Sequence, residues 1–116
     1  RTKEDYICLT ISNLKTRCPH TGKDDITDLE VKYKPGAYLI AKKPLEDFIR
    51  EELEGKRLTM ELIPVRLMVF IIEYLTMKKQ GKKDAAPEVL IINSETKGLG
   101  KKLTVKVNLQ FQRKIV

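Results

Sequence analysis

The chain has 116 residues and a formal net charge of +7, enough length for one domain with a modest core. Its 41% hydrophobic and 34% charged content excludes a disordered chain, and no apolar run reaches the roughly 18 residues of a membrane span. Two cysteines and a single histidine exclude a disulfide scaffold and argue against a structural zinc site. The first residues carry no apolar signal-peptide region and Arg1 is no initiator, so a trimmed start, a cytoplasmic location and reduced thiols are expected.

Ile7, Leu9 and Ile11 alternate with Tyr6, Cys8, Thr10 and Ser12, which predicts a first strand with Cys8 packed in the core. Residues 13–28 then read as a long polar connection. A connection of that length inside a small domain is more often functional than idle. Leu29, Val31 and Tyr33 alternate with charged residues in a second strand, which Pro35-Gly36 ends as a turn. Pro44 suits the first position of a helix running to about Glu54, with Gly55 as its stop. A second helix is predicted from near Pro64 to about Lys79. Its run of Val, Leu, Met, Phe and Ile leaves almost no polar face, so it should be largely buried. A charged loop around Gly81, a short strand over 88–93 and a turn at 96–102 follow. The cleanest strand closes the chain, with Leu103, Val105, Val107, Leu109 and Phe111 alternating against polar residues as far as Gln112.

The order is β-β-α-α-β-β, an α+β domain spanning 1–116. Two helices cover one face of such a sheet and leave the other face and both edges open. Closure against copies of itself would remove the edges, so a homo-oligomer is expected. The charge is also uneven. Residues 1–75 carry as many acidic as basic side chains, so the whole excess lies in 76–116, at Lys78, Lys79, Lys82, Lys83, Lys101 and Lys102 among others. These lysines read either as solvated guards of loops and strand edges or as a footprint for a polyanion such as nucleic acid.

The stretch Cys18-Pro19-His20-Thr21-Gly22-Lys23-Asp24-Asp25 gathers a cysteine, the only histidine and two carboxylates. A nucleophilic thiolate needs an activating neighbour, and a proton transfer needs an acid nearby; one short loop could supply both. Spacing alone does not separate this from coincidence.

Joined to the element order, the pattern C-P-x-T-G-x-x-D resembles the tunnelling-fold family, and within it the QueF enzymes, the 7-cyano-7-deazaguanine nitrile reductases. The resemblance covers nearly the whole chain. It implies that Cys18 attacks a nitrile to form a covalent thioimide and that Asp25, not Asp24, is the proton donor. It further implies pentameric rings, single or stacked in pairs, in which the sheets close into a barrel. A buried glutamate near the second helix holds the guanine-like ring in that family, and Glu61 matches it best. Read without the family, Glu61 is a first-turn acid favoured by the helix dipole. His20 either helps ionise Cys18 and contacts the substrate or lies at the loop surface.

The departures are informative as well. Reductases carry an E-[SL]-K-[SA]-x-K box for NADPH; here Ala41 and Glu46 replace its first and last residues, and only Lys43 is kept. The chain is therefore more similar to the shorter archaeal QueF-like proteins. Those add ammonia to 7-cyano-7-deazaguanine already in tRNA, giving the amidine of archaeosine. That resemblance implies tRNA and ammonia as substrates, no redox cofactor, no metal and no membrane. An NADPH-dependent reductase and a non-catalytic RNA-binding module are the alternatives.

Overall fold

The computed structural model describes residues 6–34, 40–78, 89–98 and 101–110. β1 (Ile7–Arg17) and β2 (Asp24–Lys34) form a long hairpin; α1 (Lys42–Phe48) runs on into a π-helical turn at Ile49–Leu53; α2 (Leu62–Lys78) follows. β3 (Val89–Gly98) and β4 (Lys101–Gln110) form a second hairpin. All neighbouring strands are antiparallel, in the order β1-β2-β3-β4. The expected α+β order is present. The features expected at Pro35-Gly36, Gly81, Glu88, Gly100, Phe111 and Gln112 fall outside the described residues.

The first hairpin differs most from expectation. Residues 13–28 are mostly strand, not a polar connection. A bulge between Ile11 and Leu14 shifts the register of β1 against β2. Asn13 takes a left-handed φ of 59° there, a conformation asparagine tolerates better than most residues, and its N–H donates to Asp28 Oδ1 at 2.9 Å. Strand side chains alternate, so one extra residue reverses which set faces the core. Ile7, Leu9 and Ile11 lie on the helix side before the bulge; Leu14 and Thr16 are buried after it.

Leu29, Val31 and Tyr33 of β2 and Leu90 and Ile92 of β3 present one face to the helices. Against them pack Leu45, Ile49 and Leu53 of the first helical segment and Ile63, Leu67 and Ile71 of α2. Tyr33 holds the entry to α1 by accepting the Ile40 N–H at its hydroxyl, 3.2 Å away. Phe48 and Phe70 stack at 4.2 Å and join the two helices.

Two expectations about burial fail for the same geometric reason. α2 is not largely buried: Leu62, Val65 and Val69 are 41%, 41% and 47% exposed, because one sheet covers only one side of a helix. Cys8 is exposed, because even positions before the bulge face the open side of the sheet. Thr10, Lys32, Thr104, Lys106 and Asn108 are exposed with it. Among the described residues, no helix is long and apolar enough to cross a membrane.

Candidate active site

Cys18 begins the tight turn that joins β1 to β2. Its N–H donates to the Lys23 carbonyl at 2.9 Å, and its own carbonyl accepts the Gly22 N–H at 2.8 Å. The chain reverses at Gly22, whose φ of +71° a side chain would strain. Closing the turn this way directs the amides of His20 and Thr21 back at the Cys18 sulfur. The Thr21 hydroxyl joins them, oriented by the Lys23 N–H that donates to its oxygen at 3.2 Å.

These donors stabilise the thiolate. The Thr21 hydroxyl and then the amides of Thr21 and His20 lower the Cys18 pKa, against smaller opposing effects of burial and the Asp25 charge. Asp25 is itself only 3% exposed. Loss of solvent pushes its pKa up, and the negative charge of Asp24 adds to the rise. The thiol is thus easier to ionise and the carboxyl easier to protonate than either would be in water. The two shifts favour a nucleophile and a proton donor at the same turn.

Asp25 stands in a buried polar floor. Thr16 lies opposite it on β1, and the Thr27 and Thr96 hydroxyls bond to each other at 2.8 Å on the same side of the sheet. Thr16 is fully buried, and its hydroxyl has no partner among the described residues. Across β3, Gly98 leaves the room that the carboxylate occupies, since any Cβ there would overlap Asp25 Oδ1. The residues 55–58 dock along the outer edge of β1: Arg17 N–H donates to the Lys56 carbonyl at 2.8 Å, and Leu58 N–H to the Arg17 carbonyl at 3.1 Å. This brings Arg57 over the turn, where a Cβ at Gly22 would lie 3.3 Å from its Nη2.

Asp25 lies close enough for its charge to act on the Cys18 thiol. The His20 side chain is exposed at the tip of the turn, and it is the backbone amide that acts on Cys18. Glu61 is exposed in the turn that opens α2, so the single chain does not bury the carboxylate that the resemblance implies. Lys102 is exposed and lies 3.4 Å from Glu95. Lys79, Lys82 and Lys83, and the side chains of Lys78 and Lys101, lie outside the described residues. Lys43, the one position that matches the reductase box, pairs with Asp47 at 3.3 Å. A groove of about 380 Å³ runs between the β1 edge and α1, and none of the turn residues lines it.

Sequence reasoning did not assign roles to Thr16, Thr21, Arg57 or Gly98. Thr21 was within the motif, and its hydroxyl two residues before an amide is a local turn signal. The other three act through contacts distant in sequence.

Among the described residues, no group of three or more His, Cys, Asp or Glu side chains could hold a metal ion. No protein-family model matches the chain, and no curated protein matches it. Among solved structures, the crystal structure of the archaeosine synthase QueF-Like in the apo form aligns with a TM-score of 0.67. The identity is 15%, over 92% of this chain and 95% of that one. The chain thus has the tunnelling fold of that protein.

Proposed function

We propose that this chain is a tRNA-modifying enzyme that converts the nitrile of 7-cyano-7-deazaguanine in tRNA to the amidine of archaeosine. The observation that carries the reading is the Cys18 turn, with its thiolate-stabilising donors and the buried Asp25 beside it. The shared fold with an archaeosine synthase supports it.

In the proposed sequence, Cys18 thiolate attacks the nitrile carbon and forms the C–S bond, while Asp25 gives its proton to the nitrile nitrogen. The product is a covalent thioimide. Ammonia then adds to the same carbon, and the new nitrogen loses one proton to the Asp25 carboxylate. The tetrahedral intermediate expels Cys18 as thiolate, leaving the amidine and restoring both groups. Nitrile and ammonia account for every atom of the product, so neither NADPH nor a metal is consumed. Glu61 would hold the deazaguanine edge once a neighbouring subunit covers it, with His20 at the mouth of the site. Lys78, Lys79, Lys82, Lys83, Lys101 and Lys102 would add electrostatic attraction for RNA.

The experiment is conversion of nitrile-bearing tRNA with ammonium as the sole addition, followed by mass analysis of the released nucleosides. Amidine nucleoside formed without NADPH is expected. An aminomethyl product that depends on NADPH would make the chain a reductase instead.

The working assembly is proposed to be a homo-oligomer, a pentamer or paired pentamers. The open polar face and the exposed Leu62, Val65 and Val69 on α2 support closure against further copies. Light scattering at micromolar concentration should give a mass of at least five chains, and a monomeric mass would contradict this.

A further inference from the structure

Counted along the sequence, the first 75 residues are neutral, yet folding sorts their charges. Arg17 at the end of β1, Lys23 in the turn, and Lys56 and Arg57 on the docked segment are all exposed; the backbone of Lys23 bonds to Cys18, and that of Lys56 and Leu58 to its neighbour Arg17. Lys15 is close by but sits 3.8 Å from Asp24. No ion pair links Arg17, Lys23, Lys56 or Arg57 to a carboxylate among the described residues. Arg17, at the end of β1, and Arg57, on the docked segment, are paired by an isolated parallel bridge. Like charges carried on paired backbone positions repel, at a cost to the docking of that segment. An anion seated between them would offset that cost, and the guanidinium fork suits a phosphate better than any other side chain does.

We infer that Arg17, Lys23, Lys56 and Arg57 form a collar that takes the sugar–phosphate backbone of the nucleotide whose base enters the Cys18 site. The inference rests on the proposed function for the identity of that base. Its own ground is the position of the charges. A base still attached to a polynucleotide brings its flanking phosphates with it, and they must come to rest around the mouth of the site. This surface lies in the first 75 residues, which are neutral by formal charge. It is distinct in sequence from the lysine-rich C-terminal third, where Lys97 and Lys102 both lie within 3.8 Å of Glu95 oxygens.

The test uses the full chain and an unmodified tRNA transcript, with affinity measured by anisotropy across a range of salt. Replacing all four side chains by Gln keeps the backbone hydrogen bonds of Arg17 and Lys56. The log–log slope should then become shallower by roughly three, at about 0.7–0.9 per lost phosphate contact. The Arg17→Lys, Arg57→Lys double variant should keep most of the wild-type slope. Adduct formation at Cys18 with the free base, which carries no phosphate, should fall far less than tRNA affinity does. A quadruple variant with unchanged affinity and slope would overturn the collar. So would equal loss of free-base adduct and tRNA affinity in Arg57→Gln alone, which would make the residue a support of the turn. Polyglutamate competing as well as tRNA would reduce it to a generic anion patch. If the wild-type chain itself binds no tRNA, the proposed function fails first, and that result is distinct from all three.

Discussion

Asp25→Asn is expected to lower the rate of amidine formation by roughly 10²–10⁴-fold while making the fold more resistant to heat at neutral pH. The two effects share one cause. Asp25 is buried, and both desolvation and the neighbouring Asp24 charge raise its pKa above the ordinary value. At a pH above that raised value the folded protein holds a buried carboxylate, which the unfolded chain would leave in water. The folded state therefore binds its proton more tightly, and the penalty is present above the raised pKa and fades as pH falls through it. Asn has the same shape and no charge, so it removes the penalty and the proton together. The stability gain should shrink on acidification. Asp24→Asn should be mild in rate, because Asp24 is exposed and pairs with Lys15. Similar rate losses in the two variants, measured on nitrile-bearing tRNA, would exclude Asp25 as the proton donor.

Cys18 carries the second large effect. Cys18→Ala should abolish conversion, whereas Cys8→Ala should not, since Cys8 lies on the open face of the sheet before the bulge. The thiol should also titrate below its ordinary value, because the Thr21 hydroxyl and the Thr21 and His20 amides favour the thiolate. Thr21→Val removes the hydroxyl and keeps the amide. The midpoint of the pH dependence of Cys18 alkylation should therefore rise in that variant. His20→Ala should leave the midpoint in place, as the donor there is the backbone N–H. A midpoint unmoved by Thr21→Val would show that the turn does not activate the thiol.

How far the sequence could be read depends on where each residue sits. Leu103, Val105 and Val107 against Thr104, Lys106 and Asn108 showed β4 plainly, because an edge strand with one wet face alternates without interruption. The β1–β2 hairpin was hidden. Asn13 breaks the alternation at the bulge, and the buried positions beyond it are Thr16, Asp25 and Thr27, polar residues that hydropathy places at the surface. Periodicity finds apolar cores; it is blind to a polar one. Cys18 and Asp25 stood out by spacing and family likeness. What packs around them did not: Gly98 is across the sheet, and Arg57 arrives on a segment whose backbone pairs with the end of β1. α2 was read as buried because its composition is apolar, and composition cannot say how much surface one sheet can cover.

Intact mass of the protein mixed with 7-cyano-7-deazaguanine tests the central claim most directly. Addition of a nitrile across a thiol loses no atoms, so the chain should gain the full mass of the base. The gain should map to the peptide containing Cys18, persist in Cys8→Ala and be absent in Cys18→Ala. A chain that gains no mass, and whose Cys18→Ala variant converts nitrile-bearing tRNA as fast as the parent, would contradict the covalent mechanism.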